Sequence, residues 1–242
     1  MPWWAVSGSM IATEISALTF IGVPGGVYAA TGDWTYLQWG IGSIIARFLV
    51  GYWLVPLYYR REIYSPYDFM GNRLGEGVRR LVTALFSMGA ILGQSVRVLV
   101  TALILQTVTG WDMSWSILAI GLFALLWTLM GGMRTVIWTD VIQFCIFILG
   151  GLLSLGWLVG VLGWSEIVEV NRSFVTGDGV AVDKMRILDF TSPWENSMLN
   201  YTFWVAILAM PFQNLAAFGT DQLNAQRIFC CGTPREARKA VV

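Results

Sequence analysis

The stretch EISALTFIGVPGGVY, residues 14–28, decides how this chain is read. It lies inside a long apolar run, yet it opens on a carboxylate, Glu14, and contains Gly22, Pro24, Gly25 and Gly26. Proline removes an amide donor and glycine loosens the backbone, so the helix is expected to kink or unwind around residues 21–27. Unwound backbone at membrane depth is tolerated only where it lines a cavity or is buried in protein. There, freed carbonyls are ligands for a cation, and a half-helix end presents its dipole to a solute. The other reading is a plain proline kink in a packing helix, because glycine and proline are frequent in transmembrane helices.

Outward from this stretch the chain is 56% hydrophobic and 12% charged, well below the charged fraction of about 25% in soluble domains. A membrane-crossing helix needs about 20 apolar residues. Stretches 4–30, 34–58, 81–108, 114–130, 136–162 and 201–218 meet or approach that length, so residues 1–242 are expected to form one transmembrane domain of about six spans. The connections sort by charge. One set holds Arg60, Arg61, Arg73, Arg79, Arg80, Arg134, Arg227, Arg235, Arg238 and Lys239; the other holds Asp33, Asp112 and the acidic segment 164–200. The positive-inside rule then places the start of the chain, the loop after the second span and the C-terminal tail in the cytoplasm, in a multi-pass protein of the cell (plasma or inner) membrane. The closing AVV reads as the start of a further span, so the sequence is expected to be a fragment.

Several functions are excluded early. Without histidine there is no His-ligated haem, no His-based zinc site and no Ser-His-Asp triad. The net charge of zero gives no long-range attraction to nucleic acid. Cys145, Cys230 and Cys231 form no metal-binding spacing and read as reduced thiols. No enzyme chemistry is expected.

Five ionisable residues fall within or beside the spans: Glu14, Arg47, Arg97, Asp140 and Asp221. Each costs about 2.5–3.5 kcal/mol at a helix centre, so each should face a partner, a cavity or an ion path. The structural alternative is an ion pair, for example between Arg97 and one of the acids. Asp140 also reads as a helix-start carboxylate favoured by the dipole, since Thr139 and Asp140 precede an apolar run.

Three separated stretches resemble the sodium:solute symporter family: SMIATEISALTFIGVPGGVY (9–28), GGMRTVIWTDVIQ (131–143), and GTDQLNAQRIF with TPREARKA (219–229 and 233–240). YSPYDFMGNRLGEGVRRL also resembles the family's loop after the second helix. The resemblance implies an all-α polytopic membrane protein with an inverted-repeat, leucine-transporter-type core, its first repeat complete and its second truncated. It implies symport of a small organic solute with Na+ as coupling ion, across the lipid bilayer, without a nucleic-acid partner. A transporter-like sensor domain of a signalling protein is the alternative.

By the same resemblance, the backbone carbonyls of Ala12 and Ile15 help form a sodium site. Glu14, Leu18, Thr19, Gln38 and Asn214 match solute-facing positions, and Asp140 matches a position at the ion exit or gate. The family's sugar carriers place strongly polar side chains where this chain has Leu18 and Thr19. A hexose would leave hydroxyls unpaired there at about 1–3 kcal/mol each, which argues against a sugar. Glu14 would suit an amine or hydroxyl-bearing solute and would repel a carboxylate unless protonated or screened by sodium.

Overall fold

The computed structural model describes the chain apart from residues 62, 64 and 193–200 and the side chains of Ala17 and Leu18. Helices dominate. Helix α1 (Trp3–Glu14) and α2 (Ala17–Tyr28) meet at 55°. A 3-10 turn (Trp34–Gln38), α3 (Trp39–Leu49), a π-helical turn (Val50–Leu54) and α4 (Val55–Arg60) together make one span-length unit, Trp34–Arg60. The wide π turn sits just before Pro56, which cannot donate an amide and crowds the carbonyl one turn earlier. There follow α5 (Pro66–Leu74), α6 (Glu76–Thr109), α7 (Met113–Leu162) and α8 (Trp164–Arg172). A two-stranded hairpin of β1 (Phe174–Val175) and β2 (Ala181–Val182) leads on to α9 (Phe203–Leu208), α10 (Met210–Gly219), α11 (Gln222–Ile228) and α12 (Pro234–Val241).

The 50 residues of α7 would extend about 75 Å as one rod, more than twice the hydrocarbon thickness of about 30 Å. Gly132, at φ 58° and ψ −172°, divides it into arms 113–131 and 133–162. The final span is bent as well, by 61° between Phe203–Gly219 and Gln222–Ile228. Counting each bent pair as one span and α7 as two gives six candidate crossings among the described residues, in a multi-pass membrane protein.

The fracture in the first span is real but lies earlier than the glycines and proline indicate. Helix α2 runs unbroken through Gly22–Gly26, and the backbone leaves helical geometry at Ile15 (φ −80°, ψ 105°) and Ser16 (φ −117°, ψ 171°). Pro24 forfeits one helical hydrogen bond while its fixed φ remains helix-compatible. The hydroxyls of the TEISALT segment instead compete for main-chain partners. Thr19 Oγ1 donates to the Glu14 carbonyl at 3.2 Å, and the Ser16 and Thr19 hydroxyls approach to 3.5 Å.

Packing is concentrated around α1. Its buried face, Ala5, Val6, Gly8, Ser9 and Met10, is mostly small and lies against α7 and α12. Small residues allow close approach where lipid supplies no hydrophobic drive between helices. Ile137, Phe218, Ile228, Ala237 and Ala240 complete the core with Ala46, Val50 and Val55. The outer surfaces of α6 and α7 remain apolar and exposed, as a bilayer requires.

Helix α3 docks on α9 and α10 through Gly42, where a Cβ would stand 2.5 Å from Met210 Cβ and 3.1 Å from Pro211 Cδ. Gly42→Ala is therefore expected to destabilise the protein by about 1–3 kcal/mol through overpacking, despite alanine's better helix propensity. A lowered midpoint in a detergent thermal melt checks this. At the far end, burial pushes the Cys231 thiol up to about 12, so little thiolate forms at neutral pH. Cys231 should label with maleimide only after denaturation, read by mass spectrometry of native and unfolded samples.

Candidate functional site

The break between α1 and α2 borders a cleft. The last amide bonded back into α1 is that of Ile15, which donates to the Ile11 carbonyl at 3.0 Å. The carbonyls of residues 12–15 are thereby left beyond the helical ladder, Ala12 and Ile15 among them. Thr13 and Glu14 line a cleft of about 430 Å³ between α1, α6 and the α10–α11 corner. Its floor on α6 is made by Gly89, Ala90 and Gly93, small residues on one helix face, with Gln94 beside Gly93 and Arg97 one turn on. Asn214 and Asp221 complete the opposite wall.

Glu14 and Asn214 are thus brought together. Glu14 is not a free carboxylate, however: it forms an ion pair with Arg47. The Arg47 guanidinium also donates to the Val241 carbonyl at 3.3 Å and lies 4.2 Å from the Phe218 ring centroid. Asp221 caps α11 by accepting the amides of Leu223 (2.7 Å) and Asn224 (3.4 Å). The Asn214 side-chain amide donates to the Met210 carbonyl at 2.9 Å.

Asp140 lies elsewhere, about two turns beyond the Gly132 break and therefore not in a first helical turn, which removes the helix-start reading. Ser9 Oγ donates to Asp140 Oδ2 at 2.5 Å, and Arg227 Nη2 reaches the same oxygen at 3.1 Å. Arg227 Nε donates to Ser9 Oγ at 2.9 Å, and its Nη1 donates to the Leu223 carbonyl at 2.9 Å. Ser9 is fully buried and Arg227 nearly so. This network fastens α1, α7 and α11 together. In the sequence Arg227 counts only as a topological charge; no motif spacing reveals that it turns inward.

The remaining predicted positions lie on the other side of the break. Thr19 lines a second cleft, of about 480 Å³, with Gly22, Gly26, Asp33, Arg186, Asp189 and Tyr201. Gln38 is buried, and its amide holds backbone: it donates to the Tyr201 carbonyl at 2.8 Å and accepts the Asp189 amide at 3.1 Å. The side chain of Leu18 is outside the described set, as is Asn200.

Sequence reading missed Lys184, which is 5% exposed. Its ammonium donates to the carbonyls of Ala29 (2.6 Å) and Val27 (3.0 Å) and sits 4.5 Å from the Phe174 ring centroid. A cation at the carbonyl end of α2 complements the helix dipole. Arg186 beside it pairs with Asp33 at 2.9 Å, so segment 174–189 is clamped onto the end of α2.

Among the described residues no group of three or more His, Cys, Asp or Glu side chains converges to hold a metal. What the break offers a cation is main-chain oxygen. A family model, the sodium:solute symporter family, matches residues 1–241. The chain belongs to the sodium:solute symporter family.

Within the family, the chain is 29% identical to the sodium/glucose cotransporter of Vibrio parahaemolyticus over 243 residues, covering 100% of this chain and 44% of that protein. It is 30% identical to sodium-coupled monocarboxylate transporter 2 of Danio rerio over 237 residues (98% and 36%). With the sodium-dependent multivitamin transporter of Oryctolagus cuniculus it shares 27% over 235 residues (96% and 35%). This symporter-family chain therefore spans less than half the length of the relatives it matches.

The buried network predicts a non-additive pattern. Removing one partner strands the other charge, at about 3–5 kcal/mol, whereas replacing both with apolar groups of similar size is close to neutral. Asp140→Asn and Arg227→Met should each lower the thermal midpoint more than the double variant Asp140→Leu/Arg227→Met does. Equal or additive losses in the double variant would show that the pair is not coupled.

Proposed function

We propose that this chain forms the first inverted repeat, and the start of the second, of a sodium-coupled symporter for a small organic solute. The observation that carries the reading is the break at Ile15–Ser16, which leaves main-chain oxygens at the edge of a polar cleft within an otherwise apolar span. Na+ is dehydrated readily by carbonyl oxygens, and the negative end of the α1 dipole adds to their attraction. Ala12 and Ile15 supply carbonyls to the ion, and solute ligands come from the walls of the cleft. Glu14 and Asn214 line this pocket, Thr19 lines the second cleft beyond the break, and Gln38 acts at one remove by holding the backbone at Asp189 and Tyr201.

In this reading the two ends of the pathway are closed by different devices. On the side carrying the basic loops, taken as cytoplasmic, the Ser9–Asp140–Arg227 network holds α1 against α7 and α11. Release of Na+ to that side requires the network to part, and Asp140 is placed to accompany the ion as it leaves. On the other side Lys184 and Arg186 hold the end of α2. Transport is then a coupling of two binding equilibria through alternating closure, with no bond made or broken in the solute.

The test is uptake of labelled sugars, amino acids, carboxylates and vitamins into proteoliposomes holding the complete protein, with and without an inward Na+ gradient. Uptake of one class is expected to need Na+. A Cβ at Gly93 meets nothing within 4 Å, so Gly93→Leu should fill the cleft without strain and cut uptake by about tenfold or more, while the thermal midpoint is unchanged. Uptake indifferent to Na+ would sink the symport reading. Normal uptake by Gly93→Leu would move the pocket elsewhere.

A further inference from the structure

The charges in the cleft are not balanced by one another. Of its two carboxylates, Glu14 is held by Arg47 and Asp221 by the two amides it caps. Arg97 is different. It lines the cleft from the middle of α6, and among the described residues no carboxylate lies within 4.0 Å of its guanidinium and no hydrogen bond engages it. A guanidinium in mid-span is costly unless an anion or water meets it. Gln94, on the preceding turn of the same face, adds a neutral amide beside it.

We infer that the solute is an organic anion bearing a carboxylate, and that Arg97 is the cation that receives it. This rests on the cleft being the solute pocket. The planar guanidinium presents paired donors that match the two oxygens of a carboxylate, and the site is walled by the apolar surfaces of Phe86, Phe218 and Ala217, where water competes poorly. The assignment reverses the expectation drawn from Glu14 alone. That carboxylate would have repelled an anion, but Arg47 compensates it and the Asp221 carboxylate is engaged by its two capping amides, which leaves Arg97 as the charged group of the cleft without a partner among the described residues. Arg97 becomes a specificity-determining residue, and the pocket discriminates against the uncharged amide of the same acid.

The experiment uses the complete protein in proteoliposomes under an inward Na+ gradient. The probes are a labelled short monocarboxylate, its matched neutral amide and a labelled hexose. The wild type should prefer the carboxylate over its amide by about tenfold or more. Arg97→Gln should raise the KM for the carboxylate by about 10- to 100-fold with its thermal midpoint retained, and Arg97→Lys should recover part of the loss. Competition by unlabelled acid and amide on the wild type separates the same outcomes without any variant, should Arg97→Gln fail to fold. Na+-dependent uptake of the hexose or amide in preference to the acid overturns this inference while leaving symport standing. So does an unchanged KM in Arg97→Gln with a lowered thermal midpoint, which would mean that Arg97 pairs with an acid elsewhere in the protein. Uptake of no probe with Na+ dependence overturns the symport reading itself.

Discussion

A bilayer solvates neither a charge nor an unpaired peptide group, and the architecture of this chain follows from how it satisfies that constraint along α1. Twelve residues of apolar helix carry two polar anchors, Ser9 near the middle and Glu14 at the end. Each is matched by an arginine from a different helix, Arg227 on α11 and Arg47 on α3. Neither arginine is adjacent in sequence to what it satisfies, so the pairings can form only when the first, second and last spans are assembled around α7. Charge satisfaction and helix packing are one event here.

Such pairs hold without being a large net source of stability. A buried ion pair recovers in attraction roughly what desolvation costs, while loss of one member is severe. That asymmetry would suit the opening proposed for this contact: if water enters and both partners separate into it, the stranded-charge penalty does not arise. Apolar contact alone would close the same interface, but in the proposed cycle it would give an ion nothing to exchange with beside Asp140. The hydroxyl of Ser9 extends the network into a three-membered one, and its fully buried position keeps water from competing while the helices are together.

That the chain is an all-α, multi-pass membrane protein was legible because hydropathy is a property of whole segments, robust to the placement of any one residue. Recognition of a fractured first span was also within reach, since glycine, proline and an intramembrane carboxylate all signalled it. Its position was not. Pro24 is a stronger helix breaker than serine in isolation, yet the chain bends at Ile15–Ser16, where Thr19 can return a hydroxyl to the Glu14 carbonyl. Local propensity lost to a side-chain hydrogen bond. The same limit applies to the site: Glu14, Asn214, Arg97 and Asp140 stand out as polar residues in apolar runs, but which of them is neutralised depends on contacts more than thirty residues apart in sequence. Arg227 and Lys184 read as ordinary loop charges, because nothing in their neighbourhood distinguishes a residue that turns inward from one that faces water.

The joint at residues 15–16 acquires its meaning from these long-range contacts. Helix α1 is tied to α3, α7, α11 and α12, whereas α2 packs on α6, meets α7 through the Phe20–Phe147 edge contact, and is tied at its far end to the segment carrying Lys184 and Arg186 and at its near end by the Thr19 hydroxyl. The two halves of one span thus share α7 but otherwise keep different partners, and the main chain joining them is extended and outside the helical ladder. A continuous helix would transmit any tilt at one end to the other. A jointed one lets each half follow its own partners, so the interface at Ser9 can loosen while the Lys184 clamp holds, or the reverse. The carbonyls of Ala12 and Ile15 sit at that joint, and in the proposed symporter an ion bound there would feel every such motion, which is the physical requirement for linking occupancy of a site to which side of the membrane it faces.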